Sequence, residues 1–348
     1  MQIEDFLQDY QSKVKPYWQN FFSSWQKQAK QTGVIPEQIL EKFVELYPKG
    51  KQFRGALVVL AYHLSGGKRQ ACIYKASMMV ELLQTAGLIA DDVYDNDEVR
   101  RGQPTIHIQW AQDKPLHYGY SMAFNTANIG FYLAPLALEH TNFEPDVKIK
   151  ALNYFFKKAV EVGWGQGWDM STPYISLAAK QSSAQYIHDF KTVSYSGVLP
   201  LMLGAILAGQ QDKKWLATLE QYGQCLGRIF QIQDDIIGSF GDESQTGKTN
   251  SGDIREAKWT VLIEILYQKL KEADKKTFER LFAKKVRNDQ NIATIKQFMR
   301  TYKVVEAAQS QAQDYFEEGL KLIPELTDNK KHQDTLKNLL EFMLSRNK

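Results

Sequence analysis

Apolar residues recur at spacings of three and four along almost the whole chain. Two such runs, at 78–93 and 226–237, place their apolar residues on one side of a helix. Alternation with period two, which marks strands, is scarce. The pattern therefore predicts an all-α protein with helices of roughly 15 to 30 residues. The breaks between helices are predicted from Gly, Pro and Ser at 33–36, 65–67, 101–104, 143–145 and 238–252.

One domain covering residues 1–348 is predicted, because the chain contains neither a low-complexity linker nor a repeat of solenoid period. The composition, 43% hydrophobic and 24% charged, is typical of a globular protein with a sizeable core. The longest apolar run, 198–209, contains Pro200 and is shorter than the roughly 20 residues that a membrane-spanning helix needs. It is therefore predicted to be a core helix, and no transmembrane segment is predicted.

The charge balance favours neither of two classes of partner. The 43 basic and 40 acidic residues give a net charge of +3, and no long block of one sign occurs, so neither nucleic acid nor a membrane surface is a predicted partner. Cys72 and Cys225 lie far apart without metal-ligand spacing, which fits a reducing compartment. The first residues are polar and acidic, unlike a signal peptide, and a cytoplasmic location is predicted.

Two groups of aspartates each follow an apolar helical run: Asp91, Asp92 and Asp95 form the first group, and Asp234 and Asp235 form the second. Positions four apart share a helix face, so Asp91 and Asp95 project together. Like charges this close repel unless cations occupy the group or it points into water. Oxygen-only donors suit Mg²⁺, which is commonly bound through carboxylates and substrate phosphates. Two such groups predict a metal site for diphosphates.

Basic residues accompany the first group. Arg100 and Arg101 follow it, and residues 102–104, Gly-Gln-Pro, are predicted to end the helix so that both arginines lie on a turn. Guanidinium groups bind phosphate oxygens through charge-assisted hydrogen bonds. The alternative is that the arginines only neutralise Asp97 and Glu98.

Lys51 and Arg54, hereafter the clip, are predicted to lie one helical turn apart beside Gly50, a spacing suited to an anion. A solvated surface pair is the usual meaning of that spacing, so the clip gains its significance from the other motifs.

A polar, Gly-rich loop at 238–252 carries Lys248 and is predicted to close over bound phosphates. Residues 246–249, Thr-Gly-Lys-Thr, end like a nucleotide-binding P-loop. However, five residues separate Gly241 from Gly247 where a P-loop has four, and the segment follows a helix rather than a strand. A nucleotide site is therefore excluded.

In combination, the motifs resemble those of the trans-type polyprenyl diphosphate synthases over residues of about 49 to 260. No single motif is specific, but their order is. The motifs are Gly50-Lys51-x-x-Arg54, Asp91-Asp92-x-x-Asp95, Arg100-Arg101-Gly102-x-Pro104-Thr105, Gly165-Gln166-x-x-Asp169, Lys191-Thr192, Phe230-Gln231-x-x-Asp234-Asp235 and Thr246-Gly247-Lys248.

The resemblance implies a single-domain antiparallel helix bundle around a deep central cavity, usually as a homodimer. It also implies Mg²⁺, with three ions when substrate is bound, held by Asp91, Asp92, Asp95, Asp234 and Asp235. The implied contacts of the allylic diphosphate are Arg100, Lys191, Thr192, Lys248 and Lys258, with Gln231 in support. Those of isopentenyl diphosphate are Lys51, Arg54, Gln84 and Arg101. The implied catalytic residues are Asp91, Asp92, Lys191 and Asp234.

The implied reaction is metal-assisted loss of diphosphate to an allylic cation, attack by the isopentenyl double bond, and proton removal by the released diphosphate. This chemistry requires charge stabilisation and exclusion of water rather than a protein nucleophile. Two alternatives remain: a terpene cyclase or head-to-head synthase of the same fold, and a non-catalytic partner subunit or prenyl-lipid binder. The clip and Arg101 argue against the first, and the retained carboxylates and Lys191 argue against the second.

Three residues depart from the family pattern. Gly238 stands where many members carry a third aspartate, Gly55 where proline is common, and Gln84 where some members have histidine. The first departure puts one metal ligand in doubt. The second is expected to change only the start of a helix.

Product length is predicted from residues just before the first aspartate group. Ala86 and Gly87 are small, whereas family members that stop at farnesyl diphosphate carry bulky residues there. Leu83 and Val80, about 12 and 16.5 Å before Asp91 along the helix axis, are the two candidates for a lower floor. The small residues predict geranylgeranyl diphosphate or a somewhat longer product. The alternative is that they only permit close helix packing.

Overall fold

The computed structural model describes residues 3–241, 251–282 and 288–346, with the backbone alone at 182–185. Helices dominate these residues, as predicted, and the strands among them are two pairs of residues in one hairpin. The elements up to residue 139 are α1 Ile3–Thr32, α2 Val34–Leu46, a 3₁₀ turn Tyr47–Lys49, α3 Phe53–Leu64, α4 Gln70–Tyr94, β1 Val99–Arg100, β2 Gln103–Pro104, α5 Ile106–Ala111 and α6 Leu116–Glu139.

The later elements are again helical. They are α7 Pro145–Ser171, a 3₁₀ turn Thr172–Tyr174, α8 Leu177–Tyr186, a π-helix Ile187–Val198, α9 Leu199–Leu207, α10 Lys213–Phe240, α11 Gly252–Glu256, α12 Val261–Lys269, α13 Glu272–Phe282, α14 Asp289–Thr301, α15 Val304–Leu326 and α16 Lys330–Leu344.

The chain divides into two compact units. Unit 1 comprises Met1–Phe155 and Pro200–Leu216, and unit 2 comprises Phe156–Leu199 and Ala217–Lys348. The prediction of one domain over 1–348 remains a prediction, and each unit is described by itself.

In unit 1, α4 is the central helix. Most of its residues from Ile73 to Ala90 are buried, because apolar side chains cover nearly its whole circumference. Its close approach to α6 requires Gly130, where a Cβ would lie 2.9 Å from the Cβ of Ala86 and would collide with Phe43 of α2. Helix α4 is thereby fixed by its neighbours, and the first aspartate group lies at its end.

In unit 2, the π-helix packs closely on α10. A Cβ at Gly227 would lie 2.8 Å from the Cα of Val193, and one at Gly197 would collide with the carbonyl of Gly223. Small residues on both elements therefore bring their backbones into contact. Beyond this contact, a core around Trp259, built from α11 to α15, supports α10 through Ile232.

Most predicted breaks are confirmed, including those at Gly33 and at Pro145, which begins α7. Two predictions of helix ends are wrong. Helix α10 continues through Gly238 to Phe240, and α4 ends at Tyr94, well before residues 102–104. Its terminator is Asn96, which has φ 52°, a left-handed conformation that asparagine tolerates better than most residues.

Among the described residues, one continuous helical stretch, Ile187–Leu207, has the length and apolar character to cross a membrane. Its mean hydropathy is 1.4, and 72% of it is buried inside the protein. The core helix of a globular protein has the same properties, so the stretch is weak support for a membrane span.

Candidate active site

The first aspartate group closes α4. The amide of Asp95 donates to the carbonyl of Asp91 at 2.8 Å, and the amide of Asp97 donates to that of Asp92 at 2.9 Å, across the left-handed Asn96. The Asp92 side chain is only 2% exposed, whereas Asp91 and Asp95 are half-buried. The helix thus ends immediately behind three carboxylates of unequal exposure.

The arginine hairpin, β1 with β2, follows at once. Arg101 and Gly102 have φ of 53° and 72° and form its two-residue turn, and left-handed pairs of this kind suit tight hairpins. Arg100 Nε and Nη2 both lie 2.5 Å from Asp92 Oδ1, and Nη2 is 3.7 Å from Asp97. The alternative that Arg100 neutralises nearby acids therefore holds in part, since Asp92 is its main partner.

Arg101 lies next to the clip. A Cβ placed at Gly50 would be 3.5 Å from Arg101 Nη2, so this guanidinium borders the backbone that precedes Lys51. Burial is the main cause that lowers the pKa of Arg101, and neighbouring Arg100 lowers it further. The structure thus brings together cations that are about 50 residues apart in the sequence.

The clip is not a helical pair, contrary to the prediction. Lys51 is exposed and precedes α3, Gln52 has φ 50°, and Arg54 lies in the first turn of α3. Gln11 of α1 donates to the carbonyls of Gly50 at 3.3 Å and Lys51 at 3.1 Å. The conformation of the loop at Gly50 and Lys51 is therefore stabilised by α1, a helix in which the sequence shows no motif.

Packing against α1 explains why position 55 is a glycine, and the sequence alone did not reveal this contact. A Cβ at this position would collide with the hydroxyl of Tyr10, which is 2.9 Å from Ser77 Oγ. Proline, common here in the family, also carries a Cβ. The presence of glycine instead of proline at position 55 therefore depends on the packing of α1 as well as on the start of α3. Gln84 is half-buried on α4.

The second aspartate group lies on α10 in unit 2. Asp235 is buried, and its two oxygens accept from Gln231 Nε2 at 2.6 Å and from the Val261 amide at 2.7 Å. Burial raises the pKa of Asp235 well above its usual value, and the charges of Asp253 and Asp234 add to this shift. Asp235 therefore also anchors the start of α12.

Asp234 is more open. Its side chain is 41% exposed, and Oδ1 lies 2.9 Å from Nη1 of Arg346. The Arg346 guanidinium is 4.4 Å from the centroid of the Phe230 ring. The carboxylate that is best placed to meet a ligand is thus paired with a cation from the end of the described chain.

Lys191 lies in the π-helix, a conformation frequent at functional sites. Its Nζ is 2.5 Å from Oδ2 of the buried Asp169. A Cβ at Gly165 would lie 2.5 Å from the amide nitrogen of Lys191, so the small residue allows α7 to approach this segment. Gln166 and Thr192 are half-buried. The Gly-Gln-x-x-Asp and Lys-Thr motifs therefore meet in unit 2.

Asp253 is a site residue that the sequence reasoning missed. A Cβ at Gly238 would lie 3.1 Å from Asp253 Oδ2, so this carboxylate takes the space of a side chain at 238. Lys258 Nζ lies 4.0 Å from Asp253 Oδ1 and 3.1 Å from Glu256 Oε2. No spacing rule connects positions 238 and 253 across a polar loop. Lys248 lies outside the described residues.

The two small residues predicted to set product length differ in their surroundings. Ala86 is fully buried and packs at Gly130, which favours the close-packing alternative for this position. A Cβ at Gly87 would meet no atom within 4 Å. Leu83 is buried one turn earlier. Open space therefore lies at Gly87 rather than at Ala86.

The comparisons with known proteins agree with one another. The polyprenyl synthetase family model matches residues 36–299. A geranylgeranyl diphosphate synthase of Saccharolobus solfataricus is 30% identical over 86% of this chain and 87% of its own. A short chain isoprenyl diphosphate synthase of Methanothermobacter thermautotrophicus is 28% identical over 90% of this chain and 92% of its own.

A solved structure shares the fold. Geranylgeranyl pyrophosphate synthase from Corynebacterium glutamicum, complexed with isoprenyl diphosphate and magnesium, superposes with a TM-score of 0.86. The alignment covers 99% of this chain and 100% of that chain at 24% identity. At this identity the likeness establishes the all-α isoprenyl synthase fold alone.

Proposed function

Because this chain belongs to the polyprenyl synthetase family, we propose that it condenses isopentenyl diphosphate with an allylic diphosphate, as a trans-prenyltransferase. The product is geranylgeranyl diphosphate or a somewhat longer trans-polyprenyl diphosphate. The observation that carries the proposal is the first aspartate group, three carboxylates at the end of α4 with Arg100 against them and Arg101 beside the clip.

The donor sets fit Mg²⁺. In unit 1 the ligands are Asp91, Asp92 and Asp95, and in unit 2 they are Asp234 and Asp235, all carboxylates as this ion prefers. When bound, Mg²⁺ ions, three of them with substrate, withdraw charge from the departing diphosphate. In unit 2 we add Asp253, whose carboxylate takes the space of the aspartate absent at 238.

The chain's own cations bind the two diphosphates. Lys51, Arg54, Gln84 and Arg101 receive isopentenyl diphosphate, and Arg101 borders the backbone beside Lys51. The allylic diphosphate is bound by Arg100, Lys191, Thr192, Lys248 and Lys258, with Gln231 in support. Lys191 reaches its place through Asp169, at 2.5 Å. The buried position of that carboxylate keeps the ammonium oriented.

Gly87 leaves space for the growing chain. The space around it, free of atoms within 4 Å of a Cβ, supports a product longer than farnesyl diphosphate. Leu83 is the lower floor, and Ala86 packs against α6.

The protein acts as a cytoplasmic homodimer. An exposed stripe on α7, spaced four residues apart, supports the dimer: Phe156, Val160, Trp164 and Trp168 are 49%, 51%, 60% and 39% exposed. Such a stripe is typical of a face covered by another subunit. Light scattering after gel filtration should give twice the chain mass, and Trp164→Glu should shift it to the monomer. If the parent protein has the mass of a monomer, the proposed homodimer is excluded. If the protein is recovered in the membrane fraction of lysed cells, the proposed cytoplasmic location is excluded.

Incorporation of labelled isopentenyl diphosphate tests the function. With Mg²⁺ and an allylic primer, we expect label in a prenyl diphosphate, and no label when either the primer or the metal is omitted. A cyclase or head-to-head synthase would consume the allylic diphosphate without incorporating label, and a binder would release no diphosphate. Either result would exclude the proposed reaction.

A further inference from the structure

We infer that Glu81 is a positioning residue that orients the clip and Arg101 for isopentenyl diphosphate. The inference rests on the proposed function of that site. Glu81 is part of none of the motifs described above, and it lies on α4 ten residues before Asp91. It is not placed in contact with substrate; it acts through the backbone of α3 and through two arginines.

The first observation is a direct bond to the start of α3. The Gly55 amide donates to Glu81 Oε1 at 2.6 Å, a short distance typical of a charge-assisted hydrogen bond. First-turn amides have no partner inside their own helix, so this carboxylate satisfies one of them and fixes the direction in which α3 begins. Arg54 lies in that same turn.

The second observation is the position of the carboxylate among charged and polar groups. Glu81 is buried, with 6% of its surface exposed. The charges of Arg54 and Arg101 favour its ionised form and oppose the effect of burial, which raises its pKa. Burial is the main cause that raises the pKa of Tyr10 on α1 and of Tyr47 in the turn before the clip, and the Glu81 charge adds to both shifts. The buried carboxylate thus lies within electrostatic reach of both arginines.

The third observation is strain in the backbone that carries the cations. Gln52, between Lys51 and Arg54, has φ 50°, and Arg101 has φ 53°. A left-handed conformation in a residue other than glycine is strained and persists only when its surroundings fix it. On one side the Gln11 amide binds the loop carbonyls, and on the other Glu81 binds the helix start.

These contacts give Glu81 two opposite effects on diphosphate binding, one through its charge and one through positioning. An anion near a diphosphate site weakens binding through space, so a role limited to charge predicts that its removal strengthens binding. A positioning role predicts the reverse, because Arg54 and Arg101 lose the group that orients them.

Glu81→Gln separates the two, since the amide has the same shape and still offers an oxygen to the Gly55 amide. We expect the Kd of isopentenyl diphosphate, measured by calorimetry without primer, to rise about tenfold. The KM of the allylic primer should change less than twofold. An unchanged or lower Kd for isopentenyl diphosphate overturns the inference.

Two further variants complete the test. Glu81→Asp keeps the charge but is one methylene shorter, so we expect an intermediate rise in Kd even if Glu81→Gln folds poorly. Ser77→Ala, one turn earlier on α4 and bonded to Tyr10, is the control for packing and should leave the Kd unchanged. A rise with Ser77→Ala equal to that with Glu81→Gln would assign the effect to packing.

Arg54→Ala distinguishes this inference from the proposed function. We expect it to raise the Kd of isopentenyl diphosphate and to affect the primer less. If Arg54→Ala leaves that Kd unchanged, the clip is not the isopentenyl site and the proposal itself fails. If Arg54→Ala weakens binding and neither Glu81 variant does, the clip stands and the positioning role is excluded.

Discussion

The two aspartate groups obtain their counter-charges in different ways. In unit 1, Arg100 reaches Asp92 from eight residues further along the chain, through a hairpin that follows α4 directly. In unit 2, Asp235 binds the amide of Val261, and Asp234 pairs with Arg346, more than a hundred residues away. The first group is therefore a local structure, whereas the second depends on tertiary packing.

The largest effects are expected from removing one carboxylate in each unit. Asp92→Asn and Asp234→Asn should each slow turnover by two to three orders of magnitude, because loss of one preorganised electrostatic contact costs about 3 to 4 kcal/mol. Steady-state kinetics with saturating Mg²⁺ measures this. Turnover near that of the parent in either variant would remove that residue from the metal site.

The same pair should separate in stability. Asp92 is buried against Arg100, so Asp92→Asn leaves a charge partly unpaired and should destabilise the fold by about 2 kcal/mol. Asp234 is 41% exposed, and Asp234→Asn should leave the melting temperature nearly unchanged. Equal losses of stability in the two variants would contradict the contrast between the buried, paired Asp92 and the more exposed Asp234.

A smaller effect, on the Mg²⁺ dependence of activity, is expected at Asp253, the carboxylate of unit 2 that lies outside α10. Asp253→Ala should raise the Mg²⁺ concentration for half-maximal activity about tenfold, as is usual for groups that support metal ligands. Adding Gly238→Asp should restore it, because the alanine leaves room for the new side chain. Calorimetric binding of Mg²⁺ with an allylic diphosphate gives a second readout. No rescue would mean that Asp253 does not replace the absent aspartate.

Sequence reasoning succeeded where the fold is local. The period of the apolar residues predicted the helices, and the aspartates with Arg100 lie within ten residues of one another, so spacing alone brought them together. It failed where contacts come from distant parts of the chain. Gln11, Arg346 and Asp253 carry no spacing signal, because only tertiary packing decides which side chains face the predicted motifs.

The ends of helices were also predicted incorrectly from the sequence at two places. Asn96 ends α4 by adopting a left-handed conformation, yet the sequence offers a stronger glycine-proline signal at 102–104. Those residues instead form the turn and second strand of the arginine hairpin. Gly238 indicates a break, but α10 remains helical to Phe240, and Ser239 next to the glycine is buried.

The next prediction compares two neighbouring residues on α4, Ala86 and Gly87. Gly87→Phe should shorten the product to farnesyl diphosphate, because the ring would fill open space, with the folded yield unchanged. Ala86→Phe should instead lower the melting temperature, since its Cβ already packs at Gly130. Chromatography of dephosphorylated products and thermal melts measure both. An unchanged product from Gly87→Phe would mean that this position does not limit product length.

The smallest effect is a pH dependence confined to unit 1. Burial raises the pKa of Glu81 above its usual value of 4.5, so the native state holds this proton longer than the unfolded state. The parent should therefore lose stability relative to Glu81→Gln as the pH rises from about 4.5 through the raised native pKa. Melting temperatures of both proteins across that range test the sign. A difference that is independent of pH would mean that the pKa of Glu81 is the same in the native and unfolded states.

Product analysis tests the central claim most directly. The parent protein, Mg²⁺, labelled isopentenyl diphosphate and dimethylallyl diphosphate are incubated together, and the dephosphorylated products are separated by chain length. We expect labelled geranylgeraniol or a somewhat longer prenyl alcohol, with farnesol only as an intermediate. Farnesol as the end product would contradict the assignment of Gly87, and the absence of any labelled prenyl alcohol would contradict the proposed function.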